Sequence, residues 1–223
     1  MIAMVDWSDS PELAGEWMSI RNSHAKCDTQ RRISMRRVVD VIGALVFILL
    51  LSPLMLLIAL FTFLSNGSPI LYKQVRVGLN GRLFTIWKIR TMKRQAEPYG
   101  PELSRPDDPR VTAFGRMLRK SHLDEIPQFW NVLKGDMTLV SYRPERPFYV
   151  AQILKKNPKY LNLFSVKPGL TSIGVLDYGY ASTIDELVER SHIDIRYLSN
   201  RTPGSDCRQI FKTVRNIVGA RGT

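Results

Sequence analysis

A chain of 223 residues with a formal net charge of +12 can bury a full core, and a charge of that size points to an anionic partner: nucleic acid, lipid headgroups or phosphorylated small molecules. Cys27 and Cys207 stand far apart at no metal or redox spacing, and the three scattered histidines (His24, His122, His192) exclude a histidine-rich zinc site. No disulfide framework is visible, so the globular part is expected to face a reducing compartment.

Residues 1–30 mix Pro11, Gly15 and scattered charges without periodicity and read as an N-terminal arm. Arg31, Arg32, Arg36 and Arg37 then precede an apolar run, 41–64, that carries no charge and is long enough for a membrane helix. The run starts too far from the N-terminus, and lacks the small-residue cleavage pattern, for a secretory signal. Ser52-Pro53 interrupts it, and proline inside a helix removes a hydrogen bond, leaving a carbonyl that Ser52 is placed to satisfy. Basic residues flank both ends, with Lys73, Arg76, Arg82, Lys88 and Arg90 following closely. A straight span would keep only one of these ends on the cytoplasmic side; a helix that breaks at Ser52-Pro53, dips in and returns keeps both. The expectation is a re-entrant, monotopic membrane helix over 31–66, set against an ordinary single span.

Two strand-like stretches, 69–75 and 83–88, flank Asn80-Gly81 and read as a β-hairpin. Its second strand places Lys88 and Arg90 on one face, either a solvated polar face or a two-pronged anion clamp. A Pro- and Gly-rich surface loop is expected over 95–109, a short helix over 111–120, a strand over 137–140 and a stiff basic turn over 141–147. Helices follow over 148–156, over 183–199 behind Thr183, and from about Ser205-Asp206 to about Val218, with Ile210, Val214 and Ile217 on one side. The fold class is α+β, mainly helical: a membrane helix followed by a globular unit, 67–223, with a hairpin and short helices. No internal repeat is present.

Between the helix at 111–120 and the strand lies Arg119-Lys120-Ser121-His122-Leu123-Asp124-Glu125-Ile126-Pro127-Gln128. Pro127, then Phe129, Trp130 and Leu133 at helical spacing, then Gly135, mark a short helix with its start and stop. Asp124 and Glu125 therefore sit near a helix N-terminus, where the field is positive and phosphate chemistry is favoured. Ser121-x-x-Asp124 also fits a capping box, and taken alone the pair reads better as a helix cap. If Lys88, Arg90, Arg119 and Arg143 converge on the acids in the fold, they would neutralise a diphosphate. One carboxylate could then attack phosphorus while the other holds Mg²⁺, which usually takes one or two carboxylates plus substrate phosphates. No glycine-rich phosphate loop or dinucleotide fingerprint is present, which excludes P-loop and Rossmann enzymes.

These motifs together resemble the bacterial sugar transferase family, the monotopic polyisoprenyl-phosphate sugar-phosphate transferases (phosphoglycosyl transferases). The residues carrying the resemblance are Lys88-Ile89-Arg90-Thr91-Met92, Asp108-Pro109-Arg110-Val111-Thr112, Leu118-Arg119-Lys120, Leu123-Asp124-Glu125-Ile126-Pro127-Gln128, Asn131-Val132-Leu133-Lys134-Gly135-Asp136-Met137, Arg143-Pro144 and Lys167-Pro168-Gly169-Leu170-Thr171. Ser52-Pro53 matches the family's helix-breaking pair, and the likeness covers about residues 33–215. It implies that Asp124 is a nucleophile that attacks the sugar-bearing phosphate of a UDP-sugar, releases UMP and passes the sugar phosphate to a membrane polyprenyl phosphate such as undecaprenyl phosphate. It implies Glu125, with Asp124, as the Mg²⁺ ligand and Lys88, Arg90, Arg119 and Arg143 as phosphate-binding residues. It places the protein on the cytosolic face of a bacterial inner membrane, against the phospholipid bilayer, in the first membrane step of a glycan pathway.

The chain departs from the family pattern at His122, where Ser or Thr is usual, and at Ser141-Tyr142, where Gly-Pro is common. It departs again over 172–180, which lacks the usual Gln and Gly-Arg. Two other readings stand beside the transferase. A basic membrane-anchored binding module explains the charge and the apolar run, although no nucleic-acid motif is present; an inactive homologue explains the altered segment. The sequence leaves open which sugar and pathway are served, and whether two copies form a homodimer.

Overall fold

The computed structural model describes residues 35–218 apart from 99 and 106; the arm expected over 1–30 lies outside the described residues. The architecture is mainly helical with two small sheets, as the sequence expects.

Helix α1, Met35–Asn66, runs through Pro53 without unwinding. The break expected at Ser52-Pro53 is therefore not a break in secondary structure. The reason is local: Pro53 cannot donate to the Leu49 carbonyl four residues back, and the Ser52 hydroxyl donates to that carbonyl instead at 2.9 Å. A single stripe of α1 packs on the rest of the chain over the helix's whole length. Ala44 joins Ile86, Val132 and Met137; Phe47 stacks on Phe129 at 5.1 Å between centroids; Ile58 joins Ile89 and Leu118; and Phe61 meets Phe114. The spacing 44, 47, 58, 61 is that of one helix face. The other faces are apolar and bare, and only 11% of the most apolar window is buried, far too little for the core helix of a water-soluble protein.

Polar bonds fasten both ends of this helix to the same folded unit. Near the start, Arg37 donates to the carbonyls of Val132 and Leu133, each at 2.6 Å. Buried Asp40 accepts from the Thr138 hydroxyl at 2.8 Å and the Leu139 amide at 2.9 Å. At the far end the Asn66 side chain donates to the Arg90 carbonyl, and the Arg90 guanidinium returns bonds to the carbonyls of Asn66 and Gly67.

Strands β1 (Leu71–Val77) and β2 (Leu83–Ile89) pair antiparallel, Tyr72 opposite Lys88 and Arg76 opposite Phe84, around the expected Asn80-Gly81 turn. Helix α2, Ala113–Lys120, is capped by the Thr112 hydroxyl. The acid pair that follows lies inside a 3₁₀ turn, Leu123–Gln128, rather than at the first residues of an α-helix; helix α3, Phe129–Lys134, starts after it and ends at Gly135. The capping-box pattern is not used. Ser121 bonds back to the carbonyls of Met117 and Leu118, and His122 stands at the cap position with no side-chain cap bond.

Strand β3 (Thr138–Val140) runs parallel to β4 (Gly169–Thr171), and helix α4 (Pro147–Lys156) and a 3₁₀ segment (Pro158–Ser165) lie between them in the chain. Helix α5, Ile173–Tyr178, is capped by Ser172. Helix α6, Ile184–Ser199, opens on a complete capping box between Thr183 and Glu186. Helix α7, Pro203–Val218, begins two residues before the expected position. The main core gathers Val77, Tyr142, Val150, Ile153, Leu161, Phe164 and Leu187, fully buried, between the hairpin, α4 and α6.

Candidate active site

The hairpin packs β2 against the 3₁₀ turn, and this contact brings Lys88 to Glu125, with an Nζ to Oε1 distance of 2.6 Å. Arg143, just past β3, reaches the same carboxylate from the other side, at 2.5 Å to Oε1 and 3.2 Å to Oε2. All three side chains are largely buried. Burial opposes the charge on Glu125, but Arg143 and Lys88 outweigh it and hold the carboxyl well below the usual carboxylate range. The cations respond differently. Burial pulls Lys88 down despite Glu125, whereas in Arg143 the Glu125 charge overcomes burial and raises the guanidinium further.

Asp124, next to this trio, is 6% exposed. Among the described residues nothing hydrogen-bonds or ion-pairs with its carboxylate. Burial pushes its pKa up to about 6; Lys88 pulls it back and the neighbouring Glu125 charge adds to the rise. A desolvated carboxylate with free lone pairs beside two cations is a competent nucleophile above that pH, and a poor choice for a merely structural group.

The four basic residues singled out by sequence separate. Lys88 and Arg143 meet at the dyad. Arg119, from α2, stands nearby: its Nε donates to Thr91 Oγ1 at 2.9 Å and a terminal nitrogen to Ser104 Oγ at 3.0 Å, and its charge is felt at Asp124. Arg90 does not join them, because its guanidinium is spent on the C-terminal carbonyls of α1. Ser52 and Pro53 lie within α1, away from the acids in the chain, with the role described above. In the Asp108-Pro109-Arg110 motif, Arg110 closes on Asp108 and, by that hydrogen bond first, lowers its pKa to about 2 against burial; this clasp organises the loop before α2.

Sequence reasoning missed Tyr180, whose hydroxyl lies 3.1 Å from His122 Nδ1 and whose ring lies under Arg143. The signal was available, since both positions fall where the family pattern is broken. A groove of about 580 Å³ runs beside Phe84, Trp87 and Lys134 and does not include Asp124.

Among the described residues no group of three or more His, Cys, Asp or Glu side chains gathers into a self-sufficient metal site. Two adjacent carboxylates, one of them unpartnered, fit a magnesium ion that draws its remaining ligands from substrate phosphates and water.

A model of bacterial sugar transferases matches residues 31–220. The chain belongs to the bacterial sugar transferase family. Among its family relatives, a UDP-N-acetylgalactosamine-undecaprenyl-phosphate N-acetylgalactosaminephosphotransferase of Aeromonas hydrophila is 37% identical over 188 residues, 84% of this chain and 44% of the relative. A UDP-glucose:undecaprenyl-phosphate glucose-1-phosphate transferase of Escherichia coli is 33% identical over 182 residues, 81% of this chain and 39% of the relative. A protein of the same name from Caulobacter vibrioides is 36% identical over 186 residues, 82% and 69% of the two chains. The chain thus spans less than half the length of the first two.

Proposed function

We propose that this chain transfers a sugar 1-phosphate from a UDP-sugar to undecaprenyl phosphate through a covalent intermediate on Asp124. The observation that carries the reading is the buried, unpartnered Asp124 carboxylate beside a Glu125 held between Lys88 and Arg143; the names of the relatives supply the substrate class. In the first step an Asp124 oxygen attacks the sugar-bearing phosphorus, the bond from that phosphorus to the bridging oxygen breaks, and UMP leaves with the electron pair. In the second, a phosphate oxygen of the lipid attacks the same phosphorus, and the Asp124 carboxylate is regenerated as undecaprenyl-diphosphate sugar departs. No net proton is needed at the carboxylate in either step.

Lys88 and Arg143 are placed to share themselves between Glu125 and an incoming phosphate, with Arg119 near enough to add a third positive charge. Glu125, with Asp124, would hold Mg²⁺, whose chemistry is to neutralise charge on the diphosphate. Whether the ion binds is an expectation that titration of UMP release against Mg²⁺ and a chelator checks.

We read 31–66 as a monotopic membrane element and 67–223 as a catalytic unit on the cytosolic face of a bacterial inner membrane. Attachment of both ends of α1 to one folded unit supports this. A helix crossing the bilayer would carry Arg90 and its partners, or Arg37 and Asp40, to the opposite surface from the unit they bond. Cysteine labelling at the two ends of α1 tests it, and exposure on opposite sides of the membrane would overturn the arrangement.

The chemistry is tested by UMP release from a panel of UDP-sugars with undecaprenyl phosphate in nanodiscs. Release that survives Asp124→Asn would remove the covalent mechanism.

A further inference from the structure

The two stretches in which this sequence leaves the family pattern touch each other. Helix α5 ends at Gly179, whose φ of 98° and ψ of −164° belong to a region that side-chain-bearing residues scarcely enter. This bend directs Tyr180 toward the dyad turn, 58 residues earlier in the chain, where its hydroxyl meets His122 Nδ1 at 3.1 Å and the two rings lie 6.0 Å apart at 20°. His122 holds a left-handed conformation, φ 56° and ψ 14°, as the residue from which the 3₁₀ turn carrying Asp124 and Glu125 departs. On its other contact, the Tyr180 ring lies 5.4 Å from the Arg143 guanidinium carbon. One side chain therefore touches both the root of the dyad turn and a cation that grips Glu125.

We propose that Tyr180 is a positioning residue that acts through Arg143 and His122 to hold the dyad while the cations change partners; this rests on the transferase reading above. When an anionic donor arrives, its phosphates attract Arg143 away from Glu125. An arginine side chain has several freely rotating bonds and could follow the phosphate. A tyrosine face holds a guanidinium by its plane and leaves the in-plane N–H groups for carboxylate and phosphate. The ring thus limits the excursion without competing for the hydrogen bonds. The hydroxyl does the same for the backbone before Asp124, anchoring His122 across a gap that no covalent connection spans. In a site where an error of about 1 Å costs on the order of a hundredfold in rate, such an anchor acts on turnover rather than on donor binding.

The test uses the full chain in nanodiscs with undecaprenyl phosphate, comparing Tyr180→Leu, Tyr180→Phe and wild type. Tyr180→Leu is expected to lower kcat for UMP release by about tenfold or more, with KM for the UDP-sugar and the melting temperature little changed. Tyr180→Phe keeps the ring on Arg143 and should recover most of that loss. Amide exchange across 122–128 reads the hydroxyl's anchor without turnover, and should be faster in both variants than in wild type. Wild-type kcat and wild-type exchange in Tyr180→Leu would overturn the inference. Equal loss in both variants together with a lower melting temperature would reduce Tyr180 to a structural role and overturn it too. If wild-type protein releases no UMP from any donor, the transferase reading fails by itself, and the exchange comparison still decides the anchor.

Discussion

Two buried ionic clusters in this molecule share one plan, a glutamate held between two cations, and differ in what stands beside it. In one, Glu145 lies between Arg76, at 3.0 Å, and Arg190; in the other, Glu125 lies between Lys88 and Arg143. The carboxylates are equally sheltered, with side chains 7% and 11% exposed. Each uses both oxygens, and at Glu125 attraction to two cations outweighs desolvation. Arg76 of the first cluster is pinned further by the Pro144 carbonyl and Gln74 Oε1, while its Nε is buried with no partner among the described residues. Beside the second stands Asp124, buried and, among the described residues, without a hydrogen-bond or ion-pair partner. The first triad ties β1 to α6 through Glu145; the second leaves beside it a carboxylate that no described residue bonds. Charge density alone does not distinguish them.

Breaking the contrast at its sharpest point gives the largest effect. Asp124→Asn should cut UMP release by about a thousandfold or more, as loss of a nucleophile does, while the melting temperature holds or rises because a desolvated charge is removed. In the closed cluster, Glu145→Ala should cost about 3–5 kcal/mol of folding stability by leaving two guanidinium groups buried without their counter-ion, readable by urea unfolding. Equal tolerance of substitution at Glu145 and at an exposed acid would show the cluster is not structural.

The pH profile sharpens the comparison. Protonated Asp124 cannot attack, so with its pKa at about 6 kcat/KM should fall roughly tenfold per unit below that pH and level off above it. Glu125→Gln removes the like charge that raises Asp124, so its acid limb should move to lower pH even as the maximal rate declines. An unmoved limb would mean another group titrates. The smallest effect belongs to Ser52→Ala, about 1 kcal/mol from one carbonyl left without its hydroxyl donor, measured as a modest drop in melting temperature.

Much of the fold was legible because its signals are local. Asn80-Gly81 between two strand-like runs, Thr183 three residues before Glu186, and Gly135 after Leu133 each state their own conformation within a few residues. The dyad and its two cations were singled out through the family resemblance, and only the fold brings them together. Arg90 was misleading for a physical reason: alternation along β2 says which face a side chain leaves from, not that a helix end with unpaired carbonyls waits there. Glu145 looked like part of a basic turn, because its partners Arg76 and Arg190 come from β1 and α6. Asp40 fell just outside the apolar run and was passed over, although a lone acid at the edge of such a run is a signal that it has a partner elsewhere.

The fastening of α1 also sets an order of events during synthesis. Its far end closes on Arg90, only 24 residues along the chain, but its near end closes on Val132 and Thr138, 95 and 98 residues along. The greasiest segment therefore leaves the ribosome long before the groups that clamp its beginning exist. Over that interval the nascent chain must rest in lipid or in the grip of a chaperone, and the rest of the fold closes around a helix that has already found its berth.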